Sequence, residues 1–534
     1  HLDCRRQRQM CIRDRGSIET GVDVVCDVLI VELNGIFYKS CERIFGNCCL
    51  TPNHDTQFEL ILFKEVCNHI DNLIMNYLPK KRVFLVVDGV CSMLKCKEQR
   101  QRRYKNCLEN KYNGLFDLNN FSPGTKVMHH LTKYIDWYLR KIISERHSLR
   151  NIKFFFSNEK VPGEGEIKVI DFIRTQCFED EVINIVSGDS DLILLSLQMP
   201  NEIRMIRNSI HSDIEVIRIN NLKKILKEKV AFSTIKSDIQ FFRDIYILFL
   251  FMGNDYIRNS PCVFHFKTVY DDIFKLYRDT GLHFTDLEGG FDRKSFCVFC
   301  GKLSEFERQW LNQKYKNHQA YFPDQIMLQQ TSEGNFSFEK YKVNYSDDGD
   351  GVAFYLKTIE TILAMFSGKE FDWFFYFPKR RSPFLSSFHN DWKTVETEWN
   401  GDIERKFYRN SFFQMLTIIP PPSYHLLPKC FHDIFIECNN FYPSMITFDM
   451  TDKTKLWEAN LNLPNIDIEN YQNYYSKKKD LFTKEEKIRN RKGKMIQYVF
   501  SQYCWDDFNS YYGTIQNMKV LTKLLGFQKK KHCI

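Results

Sequence analysis

The chain has 534 residues, 43% of them hydrophobic and 15% aromatic, with a formal net charge of +8. That length asks for two or more domains, and the apolar content is enough for a large core. The charge fits a polyanionic partner without demanding one, and no apolar run approaches the ~20 residues of a membrane helix, which speaks against a membrane protein.

The first 15 residues, HLDCRRQRQMCIRDR, show no strand or helix period. Residues 1–20 are read as a non-native or basic arm and left out of the fold reasoning. From about residue 21 to 260, strand-like runs alternate with amphipathic stretches, the rhythm of a mostly parallel sheet. The expected fold class is therefore α/β, with helices flanking the sheet. Helices are expected at 56–78 and at 125–146, the latter opening after Ser-Pro-Gly. Residues 21–285 form the first domain, and 286–350, with their EGG, SEGN and SDDGDG clusters, are expected to be an insertion or linker. A second, aromatic-rich and mainly helical region spans 351–534.

Carboxylates follow the apolar runs of the first domain. Glu32 follows VVCDVLIV, Asp88 follows VFLVV, and Glu164 and Glu166 lie in VPGEGE after KFFF. Asp189 and Asp191 lie in SGDSD after VINIV, and Asp255 lies in MGND after YILFLF. Parallel α/β sheets carry their chemistry at the carboxyl ends of strands. Seven acids converging there would repel one another unless cations lay between them. Oxygen ligands of this kind suit two Mg²⁺ or Mn²⁺ ions, the arrangement that supports in-line phosphoryl displacement. Each acid alone also has a bland reading, as a helix cap, a turn or a loop residue. Asp244 precedes Asp255 by about three helical turns and shares its face if that helix is unbroken.

Downstream of Asp88 comes MLKCKEQRQRRYKN. On a helix, Lys95, Gln99, Arg102 and Arg103 fall at i, i+4, i+7 and i+8, one arc of roughly 100°. Such a cationic face suits phosphate. The 18 cysteines are irregularly spaced and no secretory leader is evident, so a reduced intracellular compartment is expected, with nucleus and cytoplasm undistinguished. Cys297 and Cys300 have zinc-ligand spacing, but no second pair follows at a suitable distance.

These motifs, in this order, resemble the 5′→3′ exoribonuclease (XRN) family, within the flap-endonuclease-like nucleases. The resemblance rests on VELNGIFY, DGVCSMLKCKEQRQRR, SPGTKVM, VPGEGEIKVIDFIR, SGDSDLILL and FLFMGNDYI, then FDWFFYFPKRRSPF, QMLTIIPPPSYHLLPK and LFTKEEKIRNRKG. It implies a flap-endonuclease-like nuclease domain and a second region covering the active site. It makes Glu32, Asp88, Glu164, Glu166, Asp189, Asp191 and Asp255 the metal-site acids, and Lys95, Gln99, Arg102 and Arg103 the 5′-monophosphate pocket. It places Trp373 and Tyr38 on either side of the first bases. The implied activity is processive, metal-dependent hydrolysis of 5′-monophosphorylated single-stranded RNA to mononucleotides. A monomer is expected, without a membrane partner; protein partners are unknown.

Three positions depart from the family pattern. Glu32 stands where the family usually has Asp, Tyr38 where it has His, and the usual Met-Gly-Val-Pro start is missing. The small domains of the cytoplasmic members have no room after residue 495, so a catalytic core is expected. Two other readings stay open: a catalytically impaired RNA-binding homologue, and a structure-specific DNA 5′ nuclease of the same superfamily.

Overall fold

The computed structural model describes residues 18–20, 25–46, 55–109, 116–208, 214–232, 235, 237–264, 266–317, 324–329, 331–332, 335–345, 351–389, 410–443, 445–451, 453 and 459–526. Of the arm expected at residues 1–20, residues 1–17 lie outside the described residues, and Ile18–Thr20 form a strand at the end of the main sheet.

The apolar runs form strands because each is buried on both faces. The strand β2 (Val28–Glu32) buries four successive residues, the mark of a strand covered on both sides. It belongs to a nine-stranded sheet with β1 (Ile18–Thr20), β3 (Arg82–Val86), β4 (Lys153–Ser157), β5 (Val182–Val186), β6 (Glu202–Asn208), β7 (Ile214–Arg218), β8 (Met495–Phe500) and β9 (Val520–Leu525). The strand order is β1-β7-β6-β5-β2-β3-β4-β8-β9. The five central strands, β6 to β4, run parallel. The outer pairs are antiparallel. The expected mostly parallel sheet is thus parallel at its centre and mixed overall. The second region, expected to be mainly helical, also supplies the last two strands on one side of the sheet, β8 and the edge strand β9.

Helices cover both faces. In chain order they include α1 (Leu33–Phe45), α2 (Asp55–Tyr77), α3 (Met93–Glu109), α4 (Lys126–Glu145), α5 (Gly165–Gln176), α6 (Asp191–Ser196), α7 (Asp238–Phe251), α8 (Arg293–Lys316), α9 (Gly351–Phe366), α10 (Ser411–Ile418) and α11 (Ile468–Lys478). The two expected helices, 56–78 and 125–146, are α2 and α4. Thr125 caps α4 by accepting a hydrogen bond from Met128 N. Alternate strand residues feed two cores. Leu29, Val31, Val83 and Leu85 pack with α1, α2 and α4, while Val28, Ile30, Phe84 and Ile185 pack with α5 to α9. A third cluster joins α10 and α11 of the second region to Cys91, Met93 and Cys96 at the start of α3.

The segment 286–350, expected as an insertion or linker, contributes α8 to the first domain's core through Phe296, Phe299, Cys300, Leu303, Trp310 and Leu311. Its polar clusters flank a helix whose apolar residues recur every three or four positions. Cys297 and Cys300 lie on that helix as buried free thiols. Among the described residues, no helix is long and apolar enough to cross a membrane.

Candidate active site

Register aligns the carboxyl ends of the central strands. Glu32 ends β2 opposite Val86 of β3, Val86 lies opposite Ser157 of β4, and Val31 lies opposite Val186 of β5. β2 carries β3 on one side and β5 on the other, so the connection reverses direction beside it. Such a switch point opens a crevice at the strand ends. The residues just past those ends, Asp88 and Ser187 to Asp191, enter the same space.

Glu32, Glu166 and Asp189 converge there, with one carboxylate oxygen from each lying within 4.8 Å of the others. Glu32 Oε2 accepts a hydrogen bond from Ser187 Oγ. Ser187 Oγ in turn accepts from Asp189 N at 2.9 Å, and Asp189 Oδ1 accepts from Asp191 N at 2.8 Å. Asp191 is buried in the first turn of α6, behind this group. Asp88 joins from the β3 side, where its Oδ1 accepts from Gly165 N at 2.6 Å and its own N–H donates to Asn34 Oδ1 at 2.9 Å. Gly165 allows that approach. A Cβ there would meet Glu32 Oε1 at 3.0 Å and Asp88 Oδ1 at 3.1 Å.

Glu164 and Asp255 gather instead around Lys95. The Lys95 ammonium lies 2.9 Å from Asp255 Oδ2, 3.3 Å from Glu164 Oε1 and 4.0 Å from Glu166 Oε1. Tyr256 completes this second group. Its hydroxyl donates to Glu164 Oε2 at 2.8 Å and lies 3.5 Å from Glu166 Oε1, and its ring lies 4.8 Å from Lys95 Nζ. Burial pushes Glu164 up to about 7, against the pull of Lys95. Burial, then the neighbouring Glu164, lifts Glu166 well above the carboxylate range. Burial disfavours the Lys95 ammonium, but Asp255, Glu164 and Glu166 outweigh it and keep it protonated.

The cationic face of α3 looks onto these acids. Arg102 Nη2 donates to Asp255 Oδ2 at 3.1 Å, and its Nε pairs with Glu98. Arg103 donates to Tyr38 Oη at 3.1 Å and to Phe121 O at 3.3 Å. Gln99 is buried and accepts from Gln414 Nε2 at 3.3 Å. Tyr38 lies on α1, edge-on to Phe121 at 5.4 Å between ring centroids. Trp373 is half-buried, stacks on Phe371 at 5.4 Å, and accepts through its carbonyl from Met93 N, the first residue of α3, at 2.9 Å. The structure thus brings Lys95, Arg102 and Asp255 together, and sets Tyr38 and Trp373 against Arg103 and the start of α3.

Asp244 takes no part. α7 ends at Phe251, before Asp255, so the two do not share an unbroken helix. Asp244 is buried and accepts from Tyr277 Oη, Phe284 N and Thr285 Oγ1 at 3.0–3.1 Å, with His283 Nδ1 at 2.7 Å. It is a structural hub. Sequence reasoning missed Tyr256, Ser187 and Gly165. All three lie inside the quoted acidic motifs, and their neighbours were the available signal.

The donor set fits a hard divalent cation. It offers carboxylate oxygens only, three of them converging, with the half-buried Asp88 from the next strand alongside.

Two family profiles match this chain. One, described as the XRN 5′–3′ exonuclease N-terminus, matches residues 5–209, and the other, the Xrn1 helical domain, matches 352–523. Human 5′–3′ exoribonuclease 1 is 24% identical over 604 aligned positions, covering 90% of this chain and 34% of that protein. The Saccharomyces cerevisiae 5′–3′ exoribonuclease 1 is 26% identical over 336 positions, covering 52% and 22%. The Drosophila melanogaster 5′–3′ exoribonuclease 2 homolog is 21% identical over 668 positions, covering 94% and 72%. The chain thus spans about a third or less of the first two relatives. A solved catalytic core of Rad2 in complex with DNA substrate aligns with a TM-score of 0.33 at 13% identity, covering 70% of this chain and 90% of that one; so low a score adds nothing to the assignment.

Proposed function

Because the chain belongs to the XRN 5′–3′ exonuclease family, we propose that it degrades single-stranded RNA from a 5′-monophosphate end, processively, releasing mononucleotides. The observation that carries this reading is the convergence of Glu32, Glu166 and Asp189 at the strand ends, beside the cationic face of α3.

The residues have distinct tasks. Glu32, Glu166 and Asp189, with Asp88, Glu164, Asp191 and Asp255 around them, would hold divalent cations, two Mg²⁺ or Mn²⁺ in the full complement. Bound there, such ions supply activation of a water and neutralisation of charge on the scissile phosphate. Lys95, Gln99, Arg102 and Arg103 hold the terminal 5′-phosphate, as guanidinium and ammonium groups do for phosphate oxygens. A fixed 5′ end sets cleavage one nucleotide in. Tyr38 and Trp373 stack on the first bases. Stacking tolerates every base, which a processive enzyme requires. Glu32 supports an active site over an impaired one, because the longer side chain still reaches Glu166 and Asp189 and is held by Ser187. The buried free thiols support a reducing, intracellular setting.

The test is digestion of matched RNAs carrying 5′-monophosphate, 5′-hydroxyl or 5′-triphosphate, with Mg²⁺ and with EDTA. Mononucleotides should appear from the monophosphate substrate with Mg²⁺ alone. Equal rates on phosphate and hydroxyl ends would contradict the pocket, and cleavage in EDTA would contradict the metal. Preference for flap DNA over single-stranded RNA would favour the DNA nuclease reading.

A further inference from the structure

The seven acids do not form one uniform cluster. Five of them form two triads that share Glu166, with Asp88 and Asp191 outside both. Glu32, Glu166 and Asp189 face one another with their oxygens within 4.8 Å. Glu164, Glu166 and Asp255 surround the Lys95 ammonium at 3.3, 4.0 and 2.9 Å. Lys95 is 4% exposed and lies over the Tyr256 ring, so the protein encloses it rather than leaving it in solvent. Arg102 adds a second cation on the same oxygen, Asp255 Oδ2, at 3.1 Å.

An ammonium among three carboxylates holds the place that a divalent ion on those carboxylates would need. The two compete for the same oxygens, because a divalent ion must come within about 2.0–2.1 Å of its carboxylate ligands, and the ammonium already occupies the space against Asp255 Oδ2 and Glu164 Oε1. Lys95 can leave only if another anion receives it. A terminal 5′-phosphate carries a charge of about −1.5 to −2. It would approach along the face of α3 that presents Lys95, Arg102 and Arg103.

Resting on the exonuclease reading above, we infer that Lys95 is a resident cation that keeps the Glu164–Glu166–Asp255 position closed to a second metal until a 5′-phosphate draws it away. The free protein then binds one divalent ion, at Glu32–Glu166–Asp189. A phosphate-bearing end recruits the second. Binding linkage is reciprocal, so the second ion tightens phosphate binding by the same factor. The assembled site is thereby confined to substrates with the required 5′ end.

The test counts Mn²⁺ on the full chain by electron paramagnetic resonance of the free ion. AMP serves as a phosphate ligand with no bond to cleave, and adenosine serves as its control. Wild type should bind one Mn²⁺ with adenosine and two with AMP, and AMP should bind at least tenfold more tightly at saturating Mn²⁺ than at one equivalent. Lys95→Met should bind two Mn²⁺ with either ligand, and its melting temperature should fall in EDTA and recover with Mn²⁺. Two ions on the wild type with adenosine alone would overturn the exclusion while leaving the metal-dependent reading intact. The same one-ion count with AMP and adenosine would overturn the phosphate linkage. Binding of no ion under either condition would sink both this inference and the reading it rests on. The wild-type comparison needs no variant, so a poorly folding Lys95→Met leaves the question decidable.

Discussion

The two faces of α3 carry similar residues and meet opposite chemistry. On one face, Lys95 and Arg102 meet carboxylates of the first domain. On the other, Arg100 donates to Pro464 O at 2.6 Å and also to Phe441 O, Lys97 donates to Phe377 O at 3.1 Å, and Gln101 accepts from Leu461 N at 3.3 Å. The first face pairs charge with charge and can exchange partners. The second pairs charge with backbone carbonyls of the second region, which have no other state to adopt. A cation's role here is set by its partner. The second region, by gripping one face of α3, fixes how the other meets the acids.

The largest expected effect strikes the acids that the first face serves. Asp189→Asn combined with Asp191→Asn should reduce cleavage of 5′-monophosphate RNA by at least about 10³-fold, a loss consistent with removing a metal site, while RNA binding measured by anisotropy stays near wild type. Near-normal turnover would remove these acids from the site.

The two arginines give the direct contrast. Arg102→Ala should lower activity on 5′-monophosphate RNA through a loss of roughly 1.5–3 kcal/mol, with the melting temperature nearly unchanged. Arg100→Ala should act the other way round. It removes a buried guanidinium and leaves two half-buried carbonyls without their donor, so unfolding in urea should show a loss of about 1–3 kcal/mol, with the 5′-end preference retained. If both variants changed end preference equally, the division of the helix would be wrong.

Trp373 belongs to the second region yet is tied to the first residue of α3. Trp373→Ala should weaken RNA binding by roughly 1–3 kcal/mol and shorten processive runs on a long substrate. Mn²⁺ affinity should not change.

The metal-free protein should also respond to pH. Burial raises Glu164 to about 7 from its ordinary 4.5. Between these values the folded protein keeps a proton that the unfolded chain has released, so this group's contribution to stability falls as pH rises. Melting temperatures in EDTA should decline across that window. A flat profile would mean that burial does not raise this carboxylate.

The smallest expected effect is at Glu32. Glu32→Asp should leave turnover unchanged or raise it. A steep fall would show that the site depends on the longer side chain and its bond to Ser187.

Much of this arrangement is legible from local pattern. Every acid but Asp255 follows an apolar run that forms a central strand, and in a parallel sheet such runs end on one side, so their convergence follows without knowing the strand order; the run before Asp255 is helical instead. Helical periodicity likewise puts Lys95, Gln99, Arg102 and Arg103 on one face of α3. Periodicity assigns a face but not a partner, so it does not reveal that Lys95 sits among the acids while Arg103 turns to Tyr38. Asp244 misleads for a related reason. Its spacing from Asp255 counts helical turns past Phe251, where the helix stops. The strands β8 and β9 leave no local mark either. β8 pairs with β4, which lies far away in the chain, and these half-exposed outer strands lack the continuous buried runs of the central ones.

That distant pairing bears on how the protein is made. β4 is complete at Ser157, but β8, which covers its edge, begins at Met495. A ribosome needs roughly 340 further residues, on the order of 20–70 s of synthesis, to deliver it. Throughout that interval the nascent nuclease sheet presents the unpaired backbone of KFFFS, an apolar aromatic edge of the kind that recruits stray strands. Prematurely terminated chains keep that edge permanently, so a nonsense codon anywhere between the two strands should yield insoluble product rather than a smaller working domain.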